Sequence, residues 1–300
     1  PEFSIIIPTL DNFHDVQEII PCINLQTLLP KEIVIVDSSL SNDIQEGLDN
    51  IESSVPITYL RVGRAYRFDR LLRYIFSFSF LSNYKHQFPP GRAFPYEATN
   101  AGSEIAKYEW LGFLDATTFP VETWLEDYWK LINSHKCDVI FGRTKYLATT
   151  GFQKLLRAST YGALGHESAP GSIMKKVNFL NGFKIREGVR SGGDMAWRLK
   201  IKQSLKYYVP EQNYLKYSNL SLSLFPALKK FFIYQIYGGF SSIQHHIKDL
   251  YLLCTLIFGL ILVPKWNYIV GWDSTFFIPH ITKVFFISFL LIFLITFIVN

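Results

Sequence analysis

The sequence predicts an α/β protein with a mostly parallel sheet, covered by helices on both faces and followed by an apolar helical tail. Up to residue 219, short β-branched runs alternate with segments of helical periodicity, the order that produces crossovers between parallel strands. From residue 220 onward the apolar runs are longer and carry few charges. We therefore expect a globular domain over residues 1 to 219, an interfacial amphipathic linker helix over 220 to 249, and a transmembrane hairpin over 250 to 300.

The globular part begins with a strand, a helix and a second strand. Residues 3 to 7 and 32 to 36 are continuous apolar strands of the type buried on both faces, and residues 14 to 28 have the length and apolar spacing of a crossover helix. Further strands are predicted at residues 57 to 61, 110 to 114 and 138 to 141, and further helices at 98 to 107 and 122 to 135. Ligand sites on such sheets lie beyond the carboxyl ends of the strands, so the residues directly after each strand are the first candidates for function.

Two segments have the composition of helices that lie in a membrane interface. Residues 66 to 84 carry three arginines at steps of three beside an apolar face (Arg67, Arg70, Arg73). This pattern predicts either a helix on a membrane or an insertion helix packed on the globular domain. Residues 225 to 247 mix aromatic side chains with lysines and predict an interfacial helix.

The tail contains two apolar runs, about residues 250 to 270 and 281 to 299, which flanking aromatic residues extend to the length of a bilayer span. They predict a transmembrane hairpin. The alternative is a pair of buried helices in a soluble domain, and the second run argues against it because it is apolar on every face. Lys229, Lys230 and Lys248 precede the first span, so the bias of basic residues predicts a multi-pass membrane protein with a cytoplasmic catalytic domain, in the inner membrane if the source is bacterial.

The composition excludes several classes of protein. Hydrophobic residues make up 49% of the chain and charged residues 18%, which excludes a disordered protein. The net charge of +5 comes without a basic cluster on one predicted face, so no nucleic-acid partner is expected. Cys22, Cys137 and Cys254 are far apart and odd in number, which indicates a reducing compartment without a disulfide framework or a zinc site. The first residues predict a strand and not a secretory signal, and the lack of an initiator Met suggests that a few residues are missing.

Two acidic residues, Asp37 and Asp115, directly follow predicted buried strands. A carboxylate at such a place is costly unless a metal, a ligand or a hydrogen-bond donor satisfies it, so both are candidates for a functional site. The alternative for each residue alone is a turn or a helix cap.

Four segments that occur in order give these acids a context. They are FSIIIPTLDN at residues 3 to 12, EIVIVDSSLSND at 32 to 43, EATNAGSEIAKYEWLGFLDATTFPVETWLE at 97 to 126, and RSGGDMAWRLK at 190 to 200. Together they resemble the family 2 glycosyltransferases of the GT-A fold over roughly residues 3 to 215, and the tail resembles that of membrane-attached members. The resemblance implies a nucleotide-diphospho-sugar transferase, with a Rossmann-like, mostly parallel sheet between helices.

The resemblance assigns donor-binding roles to five residues. It implies that Pro8, Thr9 and Asp37 hold the base and the ribose of a nucleotide sugar, and that Asn100 lies near the diphosphate. Asp115 corresponds to the first acid of the family's Asp-x-Asp motif, which holds a divalent metal, Mg²⁺ or Mn²⁺, on the diphosphate.

On the acceptor side, the resemblance assigns the catalytic base to Asp194 and an aromatic wall near the acceptor to Trp197. A hydroxyl is a weak nucleophile near neutral pH, so a carboxylate must take its proton as it attacks the anomeric carbon. The expected activity is inverting transfer of a single sugar to a hydroxyl of a lipid-linked glycan or a cell-surface polysaccharide intermediate. His166 and Glu167 could touch a phosphate or the acceptor, but their Gly-rich surroundings favour a flexible surface loop.

Three positions depart from the family pattern. Thr117 replaces the second acid of the Asp-x-Asp motif, Thr99 replaces an arginine, and Gly193 replaces the glutamate before the base. Two alternatives therefore stay open. One is a polyprenyl-phosphate sugar synthase, whose phosphate acceptor needs little proton abstraction; the other is a GT-A membrane scaffold that has lost catalysis.

Overall fold

The computed structural model describes residues 1 to 39, 41 to 64, 91 to 240 and 245 to 299. The chain divides into two compact units, Pro1–Ser241 and Ser242–Asn300. The arginine-containing segment at residues 66 to 84, predicted to be helical, lies outside the described residues.

Strands account for much of the first unit. They are β1 (Phe3–Thr9), β2 (Glu32–Asp37), β3 (Ile57–Arg61), β4 (Gly63–Arg64), β5 (Gly91–Arg92), β6 (Trp110–Phe113), β7 (Thr118–Pro120), β8 (Val139–Tyr146), β9 (His166–Lys175), β10 (Tyr207–Tyr208) and β11 (Leu215–Tyr217). Within the described residues, the main sheet runs in the order β3-β2-β1-β6-β9-β8-β11-β7, with β10 beside β8, while β4 and β5 form a separate pair.

The predicted parallel sheet is present in the first half of this order. Strands β3, β2, β1 and β6 all run in one direction, and Thr9 at the end of β1 lies opposite Asp37 at the end of β2. Strand β9 is antiparallel to both of its neighbours, β6 and β8. The predicted α/β class and the mostly parallel sheet are thus confirmed.

The helices of the first unit connect these strands. They are α1 (Phe13–Asn24), α2 (Asp43–Leu48), α3 (Pro95–Ile105), α4 (Trp124–His135), α5 (Gly151–Thr160), α6 (Lys176–Leu180), α7 (Gly193–Ser204) and α8 (Leu224–Phe240). Helix α8, which the sequence assigns to a linker, therefore belongs to the first unit.

The two faces of the sheet bury two hydrophobic layers, because consecutive side chains of a strand point to opposite faces. Ile5 and Ile7 of β1 pack with the buried side of α1 and α4, whereas Ile6 packs with the layer that contains α3 and α7. Helix α3 approaches β2 closely at Gly102, where a Cβ atom would lie 2.5 Å from Cγ2 of Val36. Both faces are thus covered, and the carboxyl ends of β1, β2 and β6 lie along one edge of the sheet.

Strand β9 corrects one expectation. His166 and Glu167 begin a strand that pairs with Thr144 and Arg143 of β8, so the predicted surface loop was wrong. Two turn-type residues, Pro170 and Gly171, lie inside this strand, and the β8–β9 register shifts beside them between Ile140 and Gly142. The interrupted alternation is the reason that the strand has no clear sequence signal.

The second unit contains two helices, α9 (His245–Val270) and α10 (His280–Val299). Asn267 of α9 holds the segment that connects the two helices. Its side-chain amide donates a hydrogen bond to the Ile278 carbonyl at 2.9 Å and accepts one from the Ile278 amide at 3.0 Å. Among the described residues, one helix segment is long and apolar enough to cross a membrane by length and composition, Leu252–Val270; the apolar part of α10, His280–Ile292, is shorter. The structure thus supports the first of the two predicted spans and gives no such support to the second.

Candidate active site

One side of the candidate site, which the resemblance predicts to bind a nucleotide, is the edge where β1 and β2 end. Thr9 and Asp37 lie opposite each other in register, and Pro8 precedes Thr9 in the same strand. Thr9 is 6% exposed, and its Oγ1 atom has no hydrogen-bond partner among the described residues. A buried hydroxyl without a partner is unusual in a folded protein and marks a place where a ligand can supply the missing hydrogen bond.

Asp37 is completely buried at the carboxyl end of β2. One carboxylate oxygen accepts a hydrogen bond from the Ser39 amide at 2.8 Å, and the other accepts one from the Tyr59 hydroxyl at 2.8 Å. Burial and the hydrogen bond to Asp37 raise the pKa of Tyr59 to about 12, so Tyr59 stays protonated and donates to the carboxylate. The Asp37 carboxylate is therefore held in a fixed orientation, as a group that recognises a ligand must be.

Asp115 follows β6, next to β1 in the sheet, so two strand spacings of about 5 Å separate the ends of β2 and β6. Thr118 fixes its backbone: the Asp115 amide donates to Thr118 Oγ1 at 3.0 Å, and that hydroxyl donates to the Asp115 carbonyl at 2.7 Å. Burial and the negative charge of Asp194 raise the pKa of Asp115 from 3.8 to about 6, against the opposing effect of Lys230. Asp115 and Asp194 thus lie close enough for their negative charges to interact.

Asp194 lies in the first turn of α7, directly after two glycines. Gly192 adopts a left-handed conformation at φ 79°, which glycine reaches without strain. A Cβ atom on Gly193 would lie 2.7 Å from the ring of Tyr96, whose hydroxyl donates a 3.2 Å hydrogen bond to the Asp194 carboxylate. The glycine that departs from the family pattern is therefore the residue that lets Tyr96 reach Asp194.

A charged network behind Asp194 was not predicted. Arg198, one turn further along α7, places one guanidinium nitrogen 3.6 Å from Asp194 and another 3.0 Å from Glu167 of β9. The second oxygen of Glu167 lies 2.7 Å from the Lys202 ammonium. Arg198 and Glu167 are both less than one fifth exposed, so water screens this network weakly. The network connects the orientation of Asp194 to strand β9.

Asn100, another predicted site residue, forms hydrogen bonds with the protein backbone. Asn100 is buried, accepts a hydrogen bond from the Ile185 amide at 3.0 Å, and donates to the Ile185 carbonyl at 2.8 Å. Asn100 thereby holds the segment that leads to Asp194, and its predicted place near a diphosphate stays a prediction.

Trp197 is 2% exposed and packs edge-on against Phe113, while its indole N–H donates to the Phe183 carbonyl at 2.6 Å. Its predicted role as a wall near the acceptor needs an exposed ring face, and the structure buries the ring in the core beneath α7.

Helix α8 brings a lysine to the site. Lys230 donates a 3.1 Å hydrogen bond to the Tyr217 hydroxyl and lies over the rings of Tyr217 and Tyr234, 5.4 and 5.8 Å from their centroids. Burial raises the pKa of Tyr234 to about 12, and the charge of Asp115 contributes to the rise. Burial and the charges of other tyrosines and of Asp115 raise the pKa of Tyr217 as well. The sequence analysis did not predict Lys230 at this place, because the pattern of α8 is that of a linker helix.

The side chains around Asp115 fit a divalent cation only if bound molecules supply the other metal ligands. A carboxylate oxygen is a ligand that Mg²⁺ and Mn²⁺ prefer, and the pKa of Asp115 is raised mainly by burial and then by the charge of Asp194. Within the described ranges, however, no group of three or more His, Cys, Asp or Glu side chains could hold a metal ion. A metal at Asp115 would therefore take most of its remaining ligands from donor phosphates and water.

Comparison with solved structures identifies the architecture. S. aureus TarS residues 1–349 in complex with UDP-GlcNAc superposes with a TM-score of 0.53 at 13% identity, over 97% of this chain and 72% of that one. The UDP complex of the same protein gives a TM-score of 0.52 at 16% identity, over 87% of this chain and 80% of that one. This chain has a GT-A-like fold. At such low identity the likeness shows the fold alone, and no protein-family model and no curated protein matches the sequence.

Proposed function

We propose that this chain is an inverting family 2 glycosyltransferase that moves a single sugar from a nucleotide-diphosphate sugar to an acceptor hydroxyl. The observation that carries the proposal is the convergence of Asp115 and Asp194, two carboxylates from distant parts of the chain whose charges interact in one site. The GT-A-like fold supports it, because solved structures of that fold from S. aureus TarS hold UDP-GlcNAc and UDP.

The donor nucleotide would bind along the edge formed by β1 and β2. Asp37, oriented by Ser39 and Tyr59, would accept a hydrogen bond from the base, and the unpartnered Thr9 hydroxyl would bind the ribose. Pro8 would pack on the nucleotide beside them. The diphosphate would then extend toward Asp115, which follows β6, two strands away from β2 in the sheet order.

Asp194 would act as the general base. Tyr96 and Arg198 hold its carboxylate from two sides, at 3.2 and 3.6 Å, so its orientation is set before the substrates bind. The carboxylate would take the proton of the acceptor hydroxyl as the oxygen attacks the anomeric carbon, and the nucleoside diphosphate would leave from the opposite face. Attack from the opposite face gives a product of inverted anomeric configuration.

Asp115 would hold a divalent metal together with the donor. A bound Mg²⁺ or Mn²⁺ ion supplies charge that neutralises the leaving diphosphate. The Thr118 hydrogen bonds hold the backbone of Asp115 at the strand end, so the position of this backbone does not depend on the ion.

We further propose that the enzyme works at a membrane, on a lipid-linked glycan or a cell-surface polysaccharide intermediate, with the catalytic unit in the cytoplasm. The helix segment Leu252–Val270 supports membrane attachment by its length and composition. Helix α8 supports it too, since Phe225, Leu228 and Phe232 are 79%, 57% and 68% exposed along one side of the helix.

The decisive experiment incubates the detergent-purified chain with labelled UDP- and GDP-sugars, Mn²⁺ and a membrane lipid extract. We expect transfer from one donor, with the inverted anomer seen by NMR and with transfer reduced about 10³-fold or more in Asp194→Asn. An Asp194→Asn variant that keeps most of its turnover would favour a polyprenyl-phosphate sugar synthase. Absence of calorimetric binding for every donor would contradict the proposal and leave a GT-A scaffold.

A further inference from the structure

Helix α8 is fixed against the catalytic half of the first unit by contacts on one side. Ala227 is buried, and the Ser191 hydroxyl, three residues before Asp194, donates a 3.2 Å hydrogen bond to the Tyr234 carbonyl. Phe231 lies 6.3 Å from the ring of Tyr161. Lys230 is on this same inward side, so its ammonium lies over the site and does not extend into solvent.

Lys230 is connected to Asp115 by a short path. Its ammonium donates to Tyr217, and Tyr217 lies opposite Thr118 in the antiparallel pair β11–β7. Thr118 in turn binds the amide and the carbonyl of Asp115. This path places Lys230 on the same side of the sheet end as Asp115, near enough for its positive charge to act on the carboxylate that is predicted to face the diphosphate.

The contacts of Lys230 leave hydrogen-bonding capacity. An ammonium has three donors, and Tyr217 is the single hydrogen-bond acceptor of Lys230 in the part of the chain that the structure describes. No ion pair of Lys230 with a carboxylate occurs among those residues either. Lysines at half-buried places normally pair with an acid, so two unused donors beside an acidic site suit an anionic ligand.

We propose that Lys230 binds the diphosphate of the nucleotide-sugar donor and neutralises part of its negative charge. In the Asp-x-Asp motif, the second acid helps to hold the metal ion that neutralises this charge. This inference rests on the proposed function. The replacement of the second acid by Thr117 agrees with it: one fewer negative charge faces the phosphates, and the lysine adds a positive one. The affinity for a diphosphate then does not depend on the metal alone.

The rival explanation is structural, with Lys230 serving only to fasten α8 to the tyrosines. The rival predicts a loss of stability without a preference between ligands. The inference predicts a ligand effect that depends on the second phosphate. A comparison of nucleoside diphosphates with nucleoside monophosphates separates the two, because the base and ribose contacts are the same in both.

The experiment measures the binding of UDP, GDP, UMP and GMP to the full chain by calorimetry, in EDTA and in Mn²⁺. We expect Lys230→Met to weaken diphosphate binding about 10- to 100-fold in EDTA and monophosphate binding less than about 3-fold. Lys230→Arg should keep the preference for the diphosphate. Lys229→Met, the matched control at the exposed neighbouring position of the same helix, should bind like the wild type.

Each further outcome has a separate meaning. Equal diphosphate binding by the wild type and Lys230→Met overturns the inference, and so does an equal loss for diphosphate and monophosphate. Binding that vanishes in EDTA for the wild type also overturns it, because the metal would then carry the whole interaction. A wild type that binds none of the four nucleotides, even with Mn²⁺, overturns the proposed function itself.

Discussion

The Tyr96 hydroxyl donates a 3.2 Å hydrogen bond to the carboxylate of Asp194, a residue 98 positions later in the chain. Burial, together with the charge of Asp194, raises the pKa of Tyr96, so the phenol is protonated and remains a donor near neutral pH. This bond joins the start of α3 to the start of α7. It is the contact that aims the proposed base.

Tyr96→Phe tests that contact with little change in packing. Loss of one hydrogen bond to a carboxylate is worth about 1.5 to 3 kcal/mol, so we expect kcat to fall about 10- to 100-fold while KM for the donor stays nearly constant. Steady-state kinetics with a saturating acceptor measures the change. An unchanged kcat would mean that Tyr96 does not orient Asp194.

Glu167→Gln tests the network behind Asp194. The variant keeps the shape of the side chain but removes the charge that holds Arg198 and Lys202, so we expect lower stability by about 1 to 3 kcal/mol and a reduced kcat. Urea unfolding and kinetics measure both effects. The exposed pair Lys184–Glu104 provides the control: Glu104→Gln should cost less than about 0.5 kcal/mol and leave kcat unchanged. Equal effects of the two variants would contradict a role for Glu167.

Much of the sheet could be predicted because its strands are local patterns. The predicted strand at residues 57 to 61 coincides with β3, and the apolar run that forms β2 ends at Asp37, where the acid was expected. Parallel central strands are apolar on both faces, so neighbouring residues alone reveal them. The positions of Asp37 and Asp115 followed from the same logic, since each acid directly follows such a run.

The parts of the site that sequence reasoning missed depend on contacts between distant segments. Lys230 belongs to a helix whose local pattern is apolar and aromatic, and only its packing against β11 brings it to Asp115. Glu167 lies in a strand interrupted by Pro170 and Gly171, which hides the alternation. Trp197 matches a motif position, but the motif does not indicate which side of α7 faces the core, and the structure shows that Trp197 lies on that side.

Asp115→Asn should stabilise the protein when no ligand is bound. The pKa of Asp115 is about 6 in the folded chain, against an ordinary value of 3.8, so the folded state binds the proton more tightly than the unfolded state. The wild type therefore loses stability as pH rises from about 4 to about 6 and stays at the lower value above that range. We expect Asp115→Asn to gain about 1 to 2 kcal/mol at pH 7, after allowance for screening by solvent.

Thermal unfolding in EDTA at several pH values measures this gain. The difference between Asp115→Asn and the wild type should shrink below about pH 4, where both forms are uncharged at this position. A constant difference at every pH would show that the carboxylate's ionisation is not its source. Ser159→Ala, at an exposed position outside the site where the hydroxyl donates to backbone carbonyls, serves as the control for the pH series.

Gly193→Glu restores the residue that the family pattern has before the base, yet we expect it to damage the enzyme. The new Cβ would lie 2.7 Å from the Tyr96 ring, so either the ring or the first turn of α7 must move, and the bond from Tyr96 to Asp194 is lost. Overpacking of this kind typically costs about 1 to 3 kcal/mol. Gly193→Ala, which adds the Cβ without a charge, should show most of the same loss in stability and in kcat, whereas Gly151→Ala probes a glycine whose Cβ would meet no atom within 4 Å. Unfolding curves and kcat for the three variants measure these effects. If Gly193→Glu is as stable as the wild type and more active, the contact of Tyr96 with Asp194 is not what the glycine provides.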